Sequence, residues 1–348
     1  MTTGARDGSV DWRHLRRMTD DCGLLEHAQG AVPKRWHGYC IDDNGRALGI
    51  VTMSGDAELT DLAERYLAFC QHAYRGNGTF NLRMDYSRVW LPGTSDDASG
   101  RAIEGLGRAA TLAPAEHVRR GALALFERCH DFRSGHARAM AHAVVGADAV
   151  LRVDPDHRGA RRLLNTASRT LGAVPAETTW PWSEPRLTYA NALIPTARLM
   201  IGEHFGDADV VADAIRQLQW LVALQRGAHG LSLIPHTGWS PGEARPRFDQ
   251  QPIELWHLAD AAERAHALTG RPEWLTVVSD CVRWFEGDND LGVALSDPIS
   301  GGGCDGLRTR GLNENQGAES TLAWIAVQLV ASRIQASPQA TEPRWALA

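Results

Sequence analysis

Lysine is almost absent from this sequence: Lys34 stands alone among 36 basic residues, the others being arginine. With a net charge of -6 and a pI near 6.2, the charge balance gives no electrostatic reason to expect a nucleic-acid partner. Long apolar runs are missing as well. No stretch reaches about 18 consecutive apolar residues, and the start "MTTGARDGSVDW" lacks the apolar core of a signal peptide. A cytoplasmic protein, neither spanning nor binding a membrane, is the expectation. The six cysteines, Cys22, Cys40, Cys70, Cys129, Cys281 and Cys304, contain no C-x-x-C pair, which argues against a zinc ribbon or a thioredoxin-like motif and leaves free, mostly buried thiols. Strand-like alternation is nearly absent. So is a Rossmann-like βαβ segment, so the chain by itself is not expected to use a nucleotide sugar. Tyr and Phe are scarce, 5 and 7 residues against 12 Trp, and tryptophan offers a broad apolar face with one donor.

What remains is helical periodicity. Amphipathic segments run at about 12–28, 42–53, 57–74, 97–112, 116–132, 135–150, 156–172, 187–204, 207–226, 250–269, 272–286 and 315–334, separated by breakers that double as N-cap candidates, such as "SGD" at 54–56 and "TGRPE" at 269–273. Helices therefore pair across short loops. The second member of each pair carries charge on one face, as in "DLAERYLAFCQHAYR"; the first is small and bland along its body, as in "GRAIEGLGRAA". Each first member opens on a polar cluster: "DDNGR" (42–46), "DDASGR" (96–101), "SGHAR" (134–138), "LTYAN" (187–191), "FDQQPIE" (248–254) and "NQGAE" (315–319). A sixfold recurrence of hairpins at this period predicts an all-α, (α/α)6 toroid, one domain over residues 1–335, with small first members inside and their N-terminal ends on one mouth. Residues 336–348 read as a disordered tail.

Three starts share a finer pattern. Asp42 and Arg46, Asp97 and Arg101, and Ser134 and Arg138 are four residues apart, on one helix face. A capping role would need only one carboxylate, yet Asp43 follows Asp42 and Asp96 precedes Asp97. Magnesium-diphosphate chemistry would need a second acidic cluster, and a zinc site would need ligand spacing that Cys304 and His236 do not have; neither a metal nor another cofactor is expected. A saccharide fits better, since it needs planar amides and carboxylates for its hydroxyls and aromatic platforms for its C–H faces. Asn44, Asn191, Gln250, Gln251, Asn315 and Gln316 supply amides. Trp180, Trp182, Glu184 and Tyr189 precede the fourth inner helix, Trp36 and Tyr39 the first, Trp90 the second, and His236 and Trp239 the fifth. Glycosidic cleavage asks for two carboxyl groups across the bond. Among Asp43, Asp97, Asp249, Glu254 and Glu319, Glu319 is the expected acid, with Asp249 or Asp43 as base in an inverting mechanism. Two alternatives stay open: a saccharide-binding partner without chemistry of its own, and an epimerase or lyase using His236 or Tyr189.

The stretches "YCIDDNGRAL", "SGRA", "WPWSEPRLTYANALIP", "FDQQPIE", "WFEGDNDLG" and "GGGCDGL" followed by "NENQGAEST" resemble helical bacterial proteins labelled glycosyltransferase-like or glycosidase-like, from about Leu15 to Arg333. Genes of that family commonly accompany sugar-nucleotide glycosyltransferases and mannoside phosphorylases. The resemblance implies the same toroid, a saccharide ligand and a functional link to a glycosyltransferase. Two departures stand out. Where the family pattern has Y-D-R before the second inner helix, this chain reads "DYSR", with Ser87 in the aspartate's place and Asp85 two residues earlier; and a tryptophan usual after G-R-A-L is replaced by Glu104.

Overall fold

The computed structural model describes residues 10–172, 174 and 179–336. Its helices are α1 (Arg13–Met18), α2 (Ile41–Met53), α3 (Thr60–Ala73), α4 (Asp96–Leu112), α5 (Glu116–Glu127), α6 (Ala137–Val153), α7 (Arg158–Thr170), α8 (Leu193–Phe205), α9 (Ala208–Leu224), α10 (Ile253–Thr269), α11 (Glu273–Glu286) and α12 (Ala318–Ala336). The even-numbered helices form the inner ring: α2 packs on α4, α4 on α6, α6 on α8, α8 on α10, α10 on α12, and α12 returns to α2. Outside, α3, α5, α7, α9 and α11 each lie on the inner helix before them, and α1 takes the sixth outer place against α12. The expected (α/α)6 toroid is the observed fold.

Small residues explain the inner ring. A Cβ at Gly105 would collide with the Gly45 carbonyl, one at Gly107 with the Gly146 carbonyl, and one at Gly100 with the Ala139 carbonyl. Glycine at these positions lets α2, α4 and α6 approach backbone to backbone. The outer helices instead bury one apolar stripe, such as Leu62, Tyr66, Phe69 and Cys70 on α3, and leave charge outside.

Several boundaries differ from the periodic reading. The expected first helix, 12–28, stops at Met18; the chain then turns back through bridges Thr19–Leu24 and Leu25–Tyr39 and a two-residue hairpin, Ala28–Gln29 with Val32–Pro33. Helices α8, α10 and α12 begin later than their polar clusters. Ala190 (φ 47°) and Asp249 (φ 65°) take left-handed conformations just upstream, which a helix cannot continue through. The clusters "LTYAN", "FDQQ" and "NQ" are therefore approach loops. Of residues 336–348, read as a tail, Ala336 ends α12 and 337–348 lie outside the described residues. All six cysteines are free, and all but Cys22 are buried. Among the described residues no helix is long and apolar enough to cross a membrane.

Candidate functional site

The first turns of the inner helices meet one another around the ring. Arg46 of α2 reaches Glu319 of α12 (2.6 Å), Arg101 of α4 reaches Asp42 of α2 (3.0 Å), and the Asn191 amide just ahead of α8 bonds Glu254 of α10 (3.3 Å). These contacts place the N-terminal ends on one mouth. Its centre is an ionic cluster. Arg46, 4% exposed, holds Asp43 on Nη1 (2.8 Å) and Glu319 on Nη2 (2.6 Å), with Asp42 3.7 Å away. Arg101 pairs with Asp97 (2.7 Å) as well as Asp42 (3.0 Å). Burial acts to raise the Asp42 carboxyl, but Arg46 and Arg101 outweigh it and hold it near 2. Asp43, buried beside the Asp42 charge, is pushed the other way, well above the usual carboxylate range. Adjacent acids thus differ sharply in proton affinity.

Tyr189 sits over this cluster, its ring facing the guanidinium carbons of Arg138 at 5.0 Å and Arg101 at 5.9 Å. Burial and the Asp97 charge push its hydroxyl up to about 12. Arg138 is itself fixed by Glu184 (2.9 Å), the Tyr189 carbonyl and Asn191 Oδ1 (3.3 Å). Two carboxylate oxygens in the mouth, Asp42 Oδ1 and Asp97 Oδ1, have no hydrogen-bond partner within the protein.

Most of the amides do something else. Fully buried Asn44 ties α2 to the preceding loop through Leu24 N (2.8 Å), Leu24 O and Cys40 O. Asn191 closes on Thr188 and Glu254. Gln250 accepts from Leu233 N (2.9 Å) and donates to Arg247 O and Asp290, and Gln316 joins Asp297 (2.9 Å) to Ser300 (2.6 Å). These four, expected to bind a ligand, are loop latches: each satisfies backbone or carboxylate groups that burial would otherwise leave unpaired. Glu254 is a latch too, accepting from Ala190 N and Asn191 N and so holding the left-handed Ala190; burial, partly offset by those bonds, raises it to about 7. Asn315 bonds Ala28 N (2.7 Å) and contacts His27 (3.2 Å) at the rim. Gln251 is half-buried, and its carbonyl receives Glu254 N.

The aromatic expectation also needs correcting. Trp182 is 4% exposed and lies on Trp220 of α9; Trp180 packs between Trp220 (5.1 Å) and Trp239 (5.5 Å), donating to Glu184 O. These rings join the inner-to-outer packing, and Trp239 caps them. Tyr39 is buried, Trp90 packs on Phe69 and His72, and His236 is exposed on a loop. The open ring is Trp36, 71% exposed. It adjoins His37, which meets His27, and His27 contacts Asn315.

Of the three carboxylates assigned chemistry, Asp43 and Glu319 share the Arg46 guanidinium, whereas Asp249 is exposed and outside that cluster. A carboxyl that feels the Glu319 charge is Asp305. Half-buried and bonded by Asn313 (2.8 Å), it is raised by burial and then by the Glu319 charge. It follows "GGGC", a run where Gly302 and Gly303 lie against Gln316 and Ser320; a glycine run forced to hug α12 was the available signal. Deeper, His142 and His257 face each other at 5.4 Å, and Glu104 fixes His142 Nδ1 (2.6 Å). Burial, then Arg101 for His142 and His142 for His257, holds both imidazoles well below their ordinary pKa. They lie three or four residues beyond Glu254 and Arg138, on the same helix faces, so helical spacing could have found them. The position of Ser87 is exposed, and Asp85 caps the turn at Val89 N (2.9 Å). Among the described residues no group of His, Cys, Asp and Glu is arranged to hold a metal ion.

Neither a family model nor a curated protein matches this sequence. Solved structures do match the fold. The chain is similar to a sugar epimerase from a ruminal bacterium (12% identity, TM-score 0.68, covering 92% of this chain and 95% of that one) and to a D-mannose isomerase (10%, 0.66, 92% and 96%). It is also similar to a GH76 α-mannanase from Bacteroides thetaiotaomicron (12%, 0.61, 93% and 95%). At such identities the likeness establishes the toroid and no more.

Proposed function

We propose that the mouth binds a neutral saccharide and that the protein is a carbohydrate-active enzyme, cleaving a glycosidic bond by hydrolysis with inversion. The observation that carries this is the surplus of carboxyl groups. Asp42, Asp43, Asp97 and Glu319 gather around two guanidinium groups, Arg46 and Arg101, and the Glu319 charge also reaches Asp305. Such a basin repels phosphate and uronate, while its carboxylates suit sugar hydroxyl donors. Trp36 offers the ring for a sugar's C–H face, the role first read for Trp180 and Trp182.

In this reading Asp305 is the acid and Glu319 the base, so the role first expected of Glu319 passes to its neighbour. Burial, and then the Glu319 charge, favour the protonated form of Asp305. It protonates the leaving oxygen as the C1–O bond breaks; Glu319, oriented by Arg46, takes a proton from the water whose oxygen bonds to C1. Asp43, beneath Arg46, is a positioning residue. The mannanase likeness supports this reading, and the glycosyltransferase link draws no support from fold or geometry.

The test is a panel of neutral oligosaccharides, followed by proton NMR of the first-formed anomer. Glu319→Gln and Asp305→Asn should each abolish release of sugar while binding persists. Turnover unchanged in both, or a preference for phosphorylated sugars, would sink the proposal.

One observation favours a second reading, epimerisation or isomerisation of a reducing sugar. The neutral His142–His257 pair, with His142 oriented by Glu104, could exchange a proton at the carbon beside the carbonyl. Deuterium entering the sugar at C2 from heavy water would select that chemistry, and binding without either change would leave a lectin-like protein.

A further inference from the structure

The opposite end of the barrel is hollow. Where the inner helices finish, a cavity of about 570 Å³ opens and descends to Glu104 and His257, within the range of small-molecule sites. Its walls include apolar Val145, Leu193 and Met200.

The cavity's charges cancel. Arg108 pairs with Glu104 (2.9 Å) and Asp260 (3.0 Å), Arg152 and Arg264 with Asp148 (3.0 and 2.8 Å), and Arg333 with Glu263 (2.7 Å). Each lining carboxylate has its arginine, so a cation finds no free partner. The helix C-termini that surround the opening carry partial negative charge and disfavour an anion. Three buried polar atoms of lining residues still lack a protein partner: Arg108 Nε, Arg264 Nε and His257 Nε2. His257 is 3% exposed. Unpaired polar atoms at such depth are costly unless something bonds to them.

We propose that this cavity is a second ligand site, apart from the Asp305 and Glu319 carboxyls, for a small neutral molecule with a hydrocarbon body and hydroxyl or ether oxygens, of the alkyl glycoside type. The oxygens face the paired guanidinium groups and the His257 ring that line the walls, and the hydrocarbon lies along Val145, Leu193 and Met200. The assignment does not depend on the hydrolysis proposed for Asp305 and Glu319.

The probe is hexyl β-D-glucopyranoside, titrated into the full-length protein by calorimetry while the His257 ring nitrogens are followed by NMR. Saturable binding that shifts His257, and persists in Glu319→Gln, is expected. Filling the cavity with Met200→Trp, or with Ala149→Phe on the α6 wall should the first variant fail to fold, should weaken binding at least tenfold. Hexyl sulfate and hexylammonium should bind at least tenfold more weakly than the glucoside. The proposal fails if a charged probe binds equally well, if a folded cavity-filled variant binds the glucoside unchanged, or if His257 does not respond at saturation.

Discussion

The two ends of the barrel use the same residue types to opposite effect. At the C-terminal end, Glu104, Asp148, Asp260 and Glu263 each meet an arginine, and the ions close on themselves. At the N-terminal mouth, Asp42, Asp43, Asp97 and Glu319 share Arg46 and Arg101, and Asp305 feels the Glu319 charge. Helix polarity partly compensates the mouth, since positive N-terminal dipoles tolerate anions. It does not neutralise it, for Asp43 and Asp305 are both driven toward the protonated form. Balance makes one end a structural clamp. Surplus leaves the other with protons and lone pairs to offer.

The sharpest test of that contrast is chemical. Glu319→Gln and Asp305→Asn should each lower kcat by about 10²- to 10⁴-fold, the usual contribution of a general acid or base, in a reducing-sugar assay. Because Asp305 acts protonated and is raised above its ordinary value, activity should fall as pH rises through its pKa. Removing the Glu319 charge should move the Asp305 titration to lower pH, read by carbon-13 NMR of the carboxyl; an unmoved titration would deny that the two acids are coupled.

Stability should split the two ends next. Asp148→Asn strips two arginines, Arg152 and Arg264, of a buried carboxylate that His204 also contacts, and should cost about 3–5 kcal/mol in urea unfolding. Asp43→Asn removes a charge from a crowded set, and should cost about 1 kcal/mol or less, lost hydrogen bonding being offset by relieved repulsion. Equal losses would erase the distinction between clamp and basin. The latches fall between these values. Gln250→Leu leaves Leu233 N unpaired and should destabilise by roughly 1–3 kcal/mol with kcat intact. Smallest of all, Trp36→Ala should leave stability within about 0.5 kcal/mol and raise KM roughly two- to tenfold; an unchanged KM would remove Trp36 as a platform.

The toroid was legible because it rests on periodic features: paired amphipathic segments, bland first members and short loops each act over a dozen residues. Arg46 and Arg101 were legible for the same reason, being four residues from their aspartates on one face. The amides were not. Asn44, Asn191, Gln250 and Gln316 carry the hydrogen-bonding capacity a sugar would want, and a buried loop wants the same capacity; only burial separates the two uses. In "NENQGAEST" both occur three residues apart, for Gln316 is sealed against Ser300 and Asp297 while Glu319 opens onto the mouth. Trp180 and Trp182 misled in the same way, since a tryptophan in a polar loop can turn inward to an outer helix that sequence distance hides. Asp305 was overlooked because it lies on no helix, and its place depends on how closely a glycine run follows α12.

The glycine contacts among α2, α4 and α6 also decide which way the ring can give. Those three helices touch at bare backbone at these glycines, where no side chain can rotate or slide. They form a fixed jaw carrying Arg46, Arg101 and Arg138. Helices α8, α10 and α12, which have no such glycine contact with one another among the described residues, form the yielding one. Any widening of the bore to admit a bulkier guest must come from that second jaw, which brings Glu319 along while the arginines stay in place.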